Sequence, residues 1–186
     1  MQHRYTPASI SEDAATTVTE ILQRRLYSLI DLGLTLKHVH WNVVGPNFVA
    51  THRLMDEHVE AVGEMSDQLA ERIATLGAIP NGLAGALTAN RASEDYALGR
   101  AAAAAHLGAL DWVYDRVIGD HREAITATAE LDPVTSDLLL QQTGRLEMIQ
   151  WFIRAHIENR SGELSTFEAD SLLGAAAAAA MTGRLG

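Results

Sequence analysis

Apolar residues recur along this chain at steps of three and four, the period of an amphipathic helix. Leu22, Leu26, Leu29, Gly33, Leu36 and His40 form one such row, and the pattern predicts a first helix from about Glu12 to Asn42. A capping box, Ser9 three residues before Glu12, marks its start, and Gly45-Pro46 ends the run. Met55, Val62, Met65, Leu69, Ile73 and Leu76 predict a second helix from near Asn47 to Leu76, closed by Gly77 and Pro80. Residues 77–93 read as a loop with a short helix around Leu83 to Ala89. A third helix is expected from Ser93 or Glu94 to Leu131, with Leu107, Leu110, Tyr114, Val117 and Ile125 as its row. Asp132-Pro133, as N-cap and first helical residue, opens a fourth, whose stripe is Leu139, Leu146, Ile149, Ile153 and Ile157. No strand alternation competes. Four long helices with one long connection predict an all-α four-helix bundle. The chain divides into an arm (1–11), the bundle (12–158) and a tail (159–186). The tail ends in alanines, Ala175 to Ala180, which favour helix but offer no bulky apolar group for packing, so it is expected to be partly ordered.

Composition narrows the chemistry. The 186 residues are 47 % hydrophobic, enough for one ordinary domain. Cysteine is absent, which removes thiolate ligands and cysteine nucleophiles. No basic start runs into an apolar stretch, which argues against a secretory signal, and no segment is long enough to cross a membrane. The net charge is −10, and Lys37 is the single lysine. Neither end carries a basic cluster: Arg4 stands against Glu12 and Asp13, and Arg160 and Arg184 against Glu163, Glu168 and Asp170. Such a surface attracts metal cations and repels nucleic acid at long range.

The second helix holds two pairs at i,i+4 spacing, His52 with Asp56 and Asp67 with Glu71, each pair on one face. Imidazole with carboxylate suits iron, manganese or zinc. The pairs are eleven residues apart, about 16 Å along a helix, so one helix cannot bring both to one metal. At about 100° per residue the four residues share one sector, some 140° round from the apolar row. They therefore face away from the chain's own core. Gly63 lies on the same row between the pairs, at a cost of about 1 kcal/mol against alanine, which close approach of a partner helix would offset. A two-fold interface would join the His52 pair of one copy to the Asp67 pair of the other. A solvated polar face that carries a histidine is the competing reading. His40, taken alone, also reads as a packed core histidine.

Nucleotide loops, H-E-x-x-H, the paired E-x-x-H of intra-bundle di-iron proteins and G-x-S-x-G are all absent. The stretch K-H-V-H-W-N-V-V-G-P-N-F-x-x-x-H-x-x-x-D, followed by D-x-x-x-E and closing with W-F-I-R-A-H-I-E, resembles the Dps family of mini-ferritins over residues 12–158. The resemblance implies a ferritin-like bundle that assembles as a hollow homododecamer. It implies a ferroxidase site in which His40, His52 and Asp56 of one subunit meet Asp67 and Glu71 of the partner subunit. Iron would be the metal, Fe²⁺ and hydrogen peroxide the substrates, and ferric oxyhydroxide the stored product. Lys37, Trp41 and Trp151 match positions beside that site. Lys37 also reads as a surface lysine, and the tryptophans as packing residues. Acidic residues at the start of the fourth helix line iron-entry pores in this family. Asp137 and Asp132 are the candidates here, Asp132 having the N-cap reading as well. The family often condenses DNA through a lysine-rich tail, which this chain lacks, so DNA binding is expected to be weak. The expected location is the cytoplasm, with nucleoid association left open. A DNA-packing protein with little iron chemistry and a metal-assisted hydrolase are the alternatives. His3, His58, His106, His121 and His156 are expected to be surface or packing residues, and His38, two residues from His40, lies on the opposite side of the helix.

Overall fold

A computed structural model describes residues 10–159 and 161–182. In chain order the elements are α1 (Glu12–Asn42), β1 (Val43–Val44), α2 (Phe48–Thr75), α3 (Ala84–Asn90), β2 (Ala101–Ala102), α4 (Ala103–Thr128), α5 (Pro133–Ile157) and α6 (Leu172–Thr182). Four long helices with a short one in the crossover bear out the predicted all-α bundle. No helix among the described residues is long and apolar enough to cross a membrane.

Helix ends follow local chemistry. Ser9 lies outside the described residues; the cap of α1 is Ser11, whose Oγ accepts the Ala14 N–H at 3.2 Å. The start of α4 differs from the predicted Ser93 or Glu94. Residues 91–100 form no helix, and several of their groups bond elsewhere. Arg91 and Ser93 both engage Asp31, at 2.9 and 2.8 Å. The Leu98 carbonyl bonds His38 Nε2 at 2.8 Å, and the Tyr96 hydroxyl meets His106 Nδ1 at 3.0 Å. Ala101 and Ala102 then pair in parallel with Val43 and Val44, a two-residue ladder too short to show as alternation in the sequence.

The chain forms two compact units, and α1, α2, α4 and α5 each contribute a segment to both. The first comprises residues up to 33, 60–94 and 119–144. Its core is Leu22, Leu29, Leu69, Ile73, Leu76 and Leu139, all fully buried. The Gln23 amide holds the crossover to α1 reciprocally, donating to the Asn81 carbonyl and accepting its N–H, both at 2.9 Å. The second unit comprises 34–59, 95–118 and 145–186, with Leu36, Val39, Met55, Leu110, Tyr114 and Ile153 at its core.

The alanine tract departs from expectation. It forms α6, with Ala175, Ala176 and Ala179 buried. Smallness is what lets it pack: a Cβ on Gly108 of α4 would fall 2.6 Å from the Ala179 Cβ and closer still to the Ala175 carbonyl oxygen. Glycine on α4 and alanine on α6 thus permit an approach that bulkier side chains would block. The segment before α6 is tied down too. Thr166 donates to the buried Asp111 carboxylate at 2.6 Å, and Arg154 Nε donates to the other oxygen at 2.7 Å.

Candidate metal centre

A tight reversal of chain after α1 builds the centre. Gly45 adopts φ +98°, a conformation that glycine reaches without strain, and its carbonyl accepts the Phe48 N–H at 3.0 Å. The turn lays the start of α2 against the end of α1, so His40 and His52 stack with centroids 3.7 Å apart and planes 24° from parallel. Phe48 closes one side, its ring 5.0 Å from His52.

The two imidazoles lock each other. His40 Nδ1 lies 3.0 Å from the His52 carbonyl, and His52 Nδ1 lies 2.9 Å from the His40 carbonyl. A carbonyl only accepts, so each Nδ1 carries the hydrogen. Nε2 is then the nitrogen that each ring has left for a metal. Holding one ring nitrogen with a main-chain acceptor is how proteins orient a metal-binding histidine. Asp56 joins them one turn along α2, its Oδ1 3.2 Å from His40 Nδ1. One donor atom from each of His40, His52 and Asp56 lies within 4.8 Å of the others. This is the one cluster of three or more such residues among those described.

Lys37, one turn before His40, reaches Asp56 Oδ1 at 2.9 Å. The hydrogen bond from Lys37 is the main reason that the Asp56 carboxyl is held below its ordinary range. Partial burial opposes it, and the charges of His40, Lys37 and His52 add to it. The sequence pointed to Lys37 as a neighbour of the site; nothing in the spacing showed that it would bond a candidate ligand directly.

The remaining predicted residues lie outside this cluster. Asp67 and Glu71 follow on the same helix, exposed, and their carboxylates make no hydrogen bond or ion pair among the described residues. Gly63, between the pairs, is exposed, and a Cβ there would meet nothing within 4 Å. Trp41 and Trp151 are 71 % and 60 % exposed, so the core-packing reading fails for both within this chain. Asp132 is buried, paired with Arg72 and bonded by the Thr135 hydroxyl and the Val134 N–H, as an N-cap would be. Those bonds outweigh burial and lower its pKa. Asp137 is exposed and accepts one bond from Gln141 at 2.7 Å.

Of the other histidines, His58, His106 and His121 are buried packing residues, His38 bonds the Leu98 carbonyl, and His156 is exposed. Burial, with a smaller effect from His156, pushes the His58 imidazole down to about 4. His3 lies outside the described residues.

A ferritin-like domain profile matches residues 19–161. The chain is 48 % identical to the "DNA protection during starvation protein" of Mycolicibacterium smegmatis over 161 residues, 87 % of this chain and 88 % of that one. It is 49 % identical over 147 residues to the "fine tangled pili major subunit" of Haemophilus ducreyi, covering 79 % and 78 %. Among solved structures, Mycobacterium smegmatis Dps superposes with a TM-score of 0.85 at 47 % identity, covering 88 % of this chain and 99 % of that one. DpsA14 from Streptomyces coelicolor superposes at 0.86 and 50 % identity, covering 88 % and 98 %. With the profile spanning most of its length and such relatives on both sequence and fold, the chain belongs to the Dps family of ferritin-like proteins.

Proposed function

We propose that this protein oxidises Fe²⁺ at the interface of two subunits and stores the ferric product inside a dodecameric shell. The preformed His40–His52–Asp56 cluster carries this reading. Two oriented imidazoles and one ionised carboxylate are half of a first-row metal site. The missing half is two carboxylates, and α2 offers Asp67 and Glu71, exposed, their carboxylates without a partner among the described residues. A second copy related by a two-fold axis supplies them, with Gly63 allowing the α2 helices to approach.

Neutral imidazoles accept Fe²⁺, while hard carboxylates stabilise Fe³⁺ and so favour its oxidation. Hydrogen peroxide is the preferred oxidant. It takes one electron from each of two Fe²⁺ ions, and with two protons its O–O bond breaks to give two waters and two Fe³⁺. Paired electron transfer releases no hydroxyl radical. Fe³⁺ then hydrolyses and deposits as oxyhydroxide. Asp137, exposed near the start of α5, fits an iron-entry role better than Asp132, whose carboxylate Arg72 already neutralises.

Replacing Asp67 and Glu71 together by alanine tests the site. Both are exposed, so the shell should still assemble, as sizing would show. Fast iron oxidation should fall to the protein-free rate; undiminished oxidation would place the centre elsewhere.

DNA is protected here by removing iron and peroxide rather than by packing. Twelve copies at −10 each carry a formal charge of roughly −120. A gel shift at low salt should show plasmid running free at sub-micromolar protein; retardation under those conditions contradicts this part of the reading.

A further inference from the structure

Away from the metal cluster, the second unit contains a cavity of about 110 Å³. Its polar lining is Asn47, Thr51, His156, Glu158 and Thr182, and α6 forms one wall through Ala179 and Thr182. There is room for an ion and a few waters, since a water occupies about 30 Å³.

The lining groups have donor capacity that the protein does not use. His156 Nδ1 lies 2.6 Å from the Phe152 carbonyl and must donate to it, which leaves Nε2 as the ring atom for a ligand. A histidine held through its other nitrogen by a main-chain carbonyl is already set for a metal. The Glu158 carboxylate and the Asn47 carboxamide make no side-chain hydrogen bond or ion pair among the described residues.

Thr51 is the telling residue. The residue is 2 % exposed, yet its hydroxyl has no partner among the described residues. Helical threonines in this chain ordinarily donate to the carbonyl four residues back, as Thr16, Thr75 and Thr143 do. Thr51 has that carbonyl at hand, because Asn47 accepts its backbone N–H at 3.1 Å, but its hydroxyl does not use it. A hydroxyl that forgoes its local bond and lines a cavity is a donor atom open to a partner inside that cavity.

We propose that this cavity is a second metal site, for a divalent transition metal ion. His156 Nε2 and the Glu158 carboxylate are its strong ligands. The Thr51 hydroxyl and the Asn47 side-chain oxygen add neutral donors, and water completes the shell. One imidazole with one carboxylate and neutral oxygens is a borderline donor set suited to zinc, iron or manganese. The site shares no residue with the His40 cluster and does not depend on the ferroxidase reading.

Equilibrium dialysis of the full-length protein against Zn²⁺, which is redox-inert, tests the proposal by counting bound ions per chain. His156→Ala combined with Glu158→Gln changes two exposed residues and should bind one ion fewer per chain, with iron oxidation unchanged. Thr51→Val keeps both strong ligands and should weaken the affected ion about tenfold. An unchanged zinc count in the double variant overturns the proposal and leaves a cavity that holds water only. So does a lost ion in the double variant together with undiminished affinity in Thr51→Val, because the ion would then sit on the exposed pair rather than in the cavity.

Discussion

His40 and His52 owe their ligand geometry to each other's backbone. Each ring is fixed by the other's carbonyl, so orientation is built into the free chain. Asp56 is different, because Lys37 already occupies one of its oxygens. An arriving cation must displace an ammonium. Lys37→Gln removes that competitor, and Zn²⁺ should bind several-fold more tightly near neutral pH. The acid side of the profile moves in the other sense. Lys37 lowers the Asp56 pKa, so in the unaltered protein the carboxylate stays ionised well into acid and protonates only as pH falls through that lowered value. Without Lys37 its pKa rises toward the ordinary range, and metal binding should be lost at a higher pH. Titrations of Zn²⁺ affinity against pH on both proteins check this; coincident acid limbs would show that Lys37 does not set the Asp56 charge. At this scale the sequence was informative about identity and weak about partners. The i,i+4 spacing placed His52 beside Asp56, but the imidazole–carbonyl exchange depends on the turn at Gly45 and is invisible to spacing.

Elements were legible where burial is one-sided. The row Met55, Val62, Met65, Leu69, Ile73 and Leu76 was read from period alone and is wholly buried, while the opposite row of Asp56, Gly63, Asp67 and Glu71 is exposed. Legibility failed where a residue's role is set by contact rather than period. Tyr96 and Leu98 sit in a helix-compatible stretch, yet the stretch is irregular and they bond His106 and His38 instead. The alanine tract failed for the converse reason. Packing power was sought in side-chain bulk, whereas α6 packs because bulk is missing on both sides. Gly108→Val tests that account. A side chain there collides with the α6 backbone, which cannot yield as a flexible side chain could. Overpacking of this kind costs about 1–3 kcal/mol, and α6 should detach sooner than the α4 core unfolds. Limited proteolysis should then cut near residues 165–182 much faster than in the unaltered protein. Equal cutting rates would mean that α6 does not rely on this contact.

At the scale of the whole molecule, the proposed function has one chain carry two complementary halves of a metal centre and complete neither alone. The oriented half is His40, His52 and Asp56, and the other is Asp67 and Glu71, whose carboxylates are unpaired among the described residues. Their separation of about 16 Å along one helix keeps the two halves of one chain apart, and in the proposed site a second copy completes each. Everything proposed beyond the family follows from that: a two-fold interface as the catalytic place, paired iron as the reactant, and an acidic shell as the store. The most direct measurement is anaerobic addition of Fe²⁺ to the purified protein, followed by hydrogen peroxide, with near-ultraviolet absorbance and particle mass recorded together. The proposed function predicts rapid oxidation, about one peroxide consumed per two irons, and a soluble particle that gains mass. A large assembled particle that oxidises iron no faster than buffer alone would contradict it.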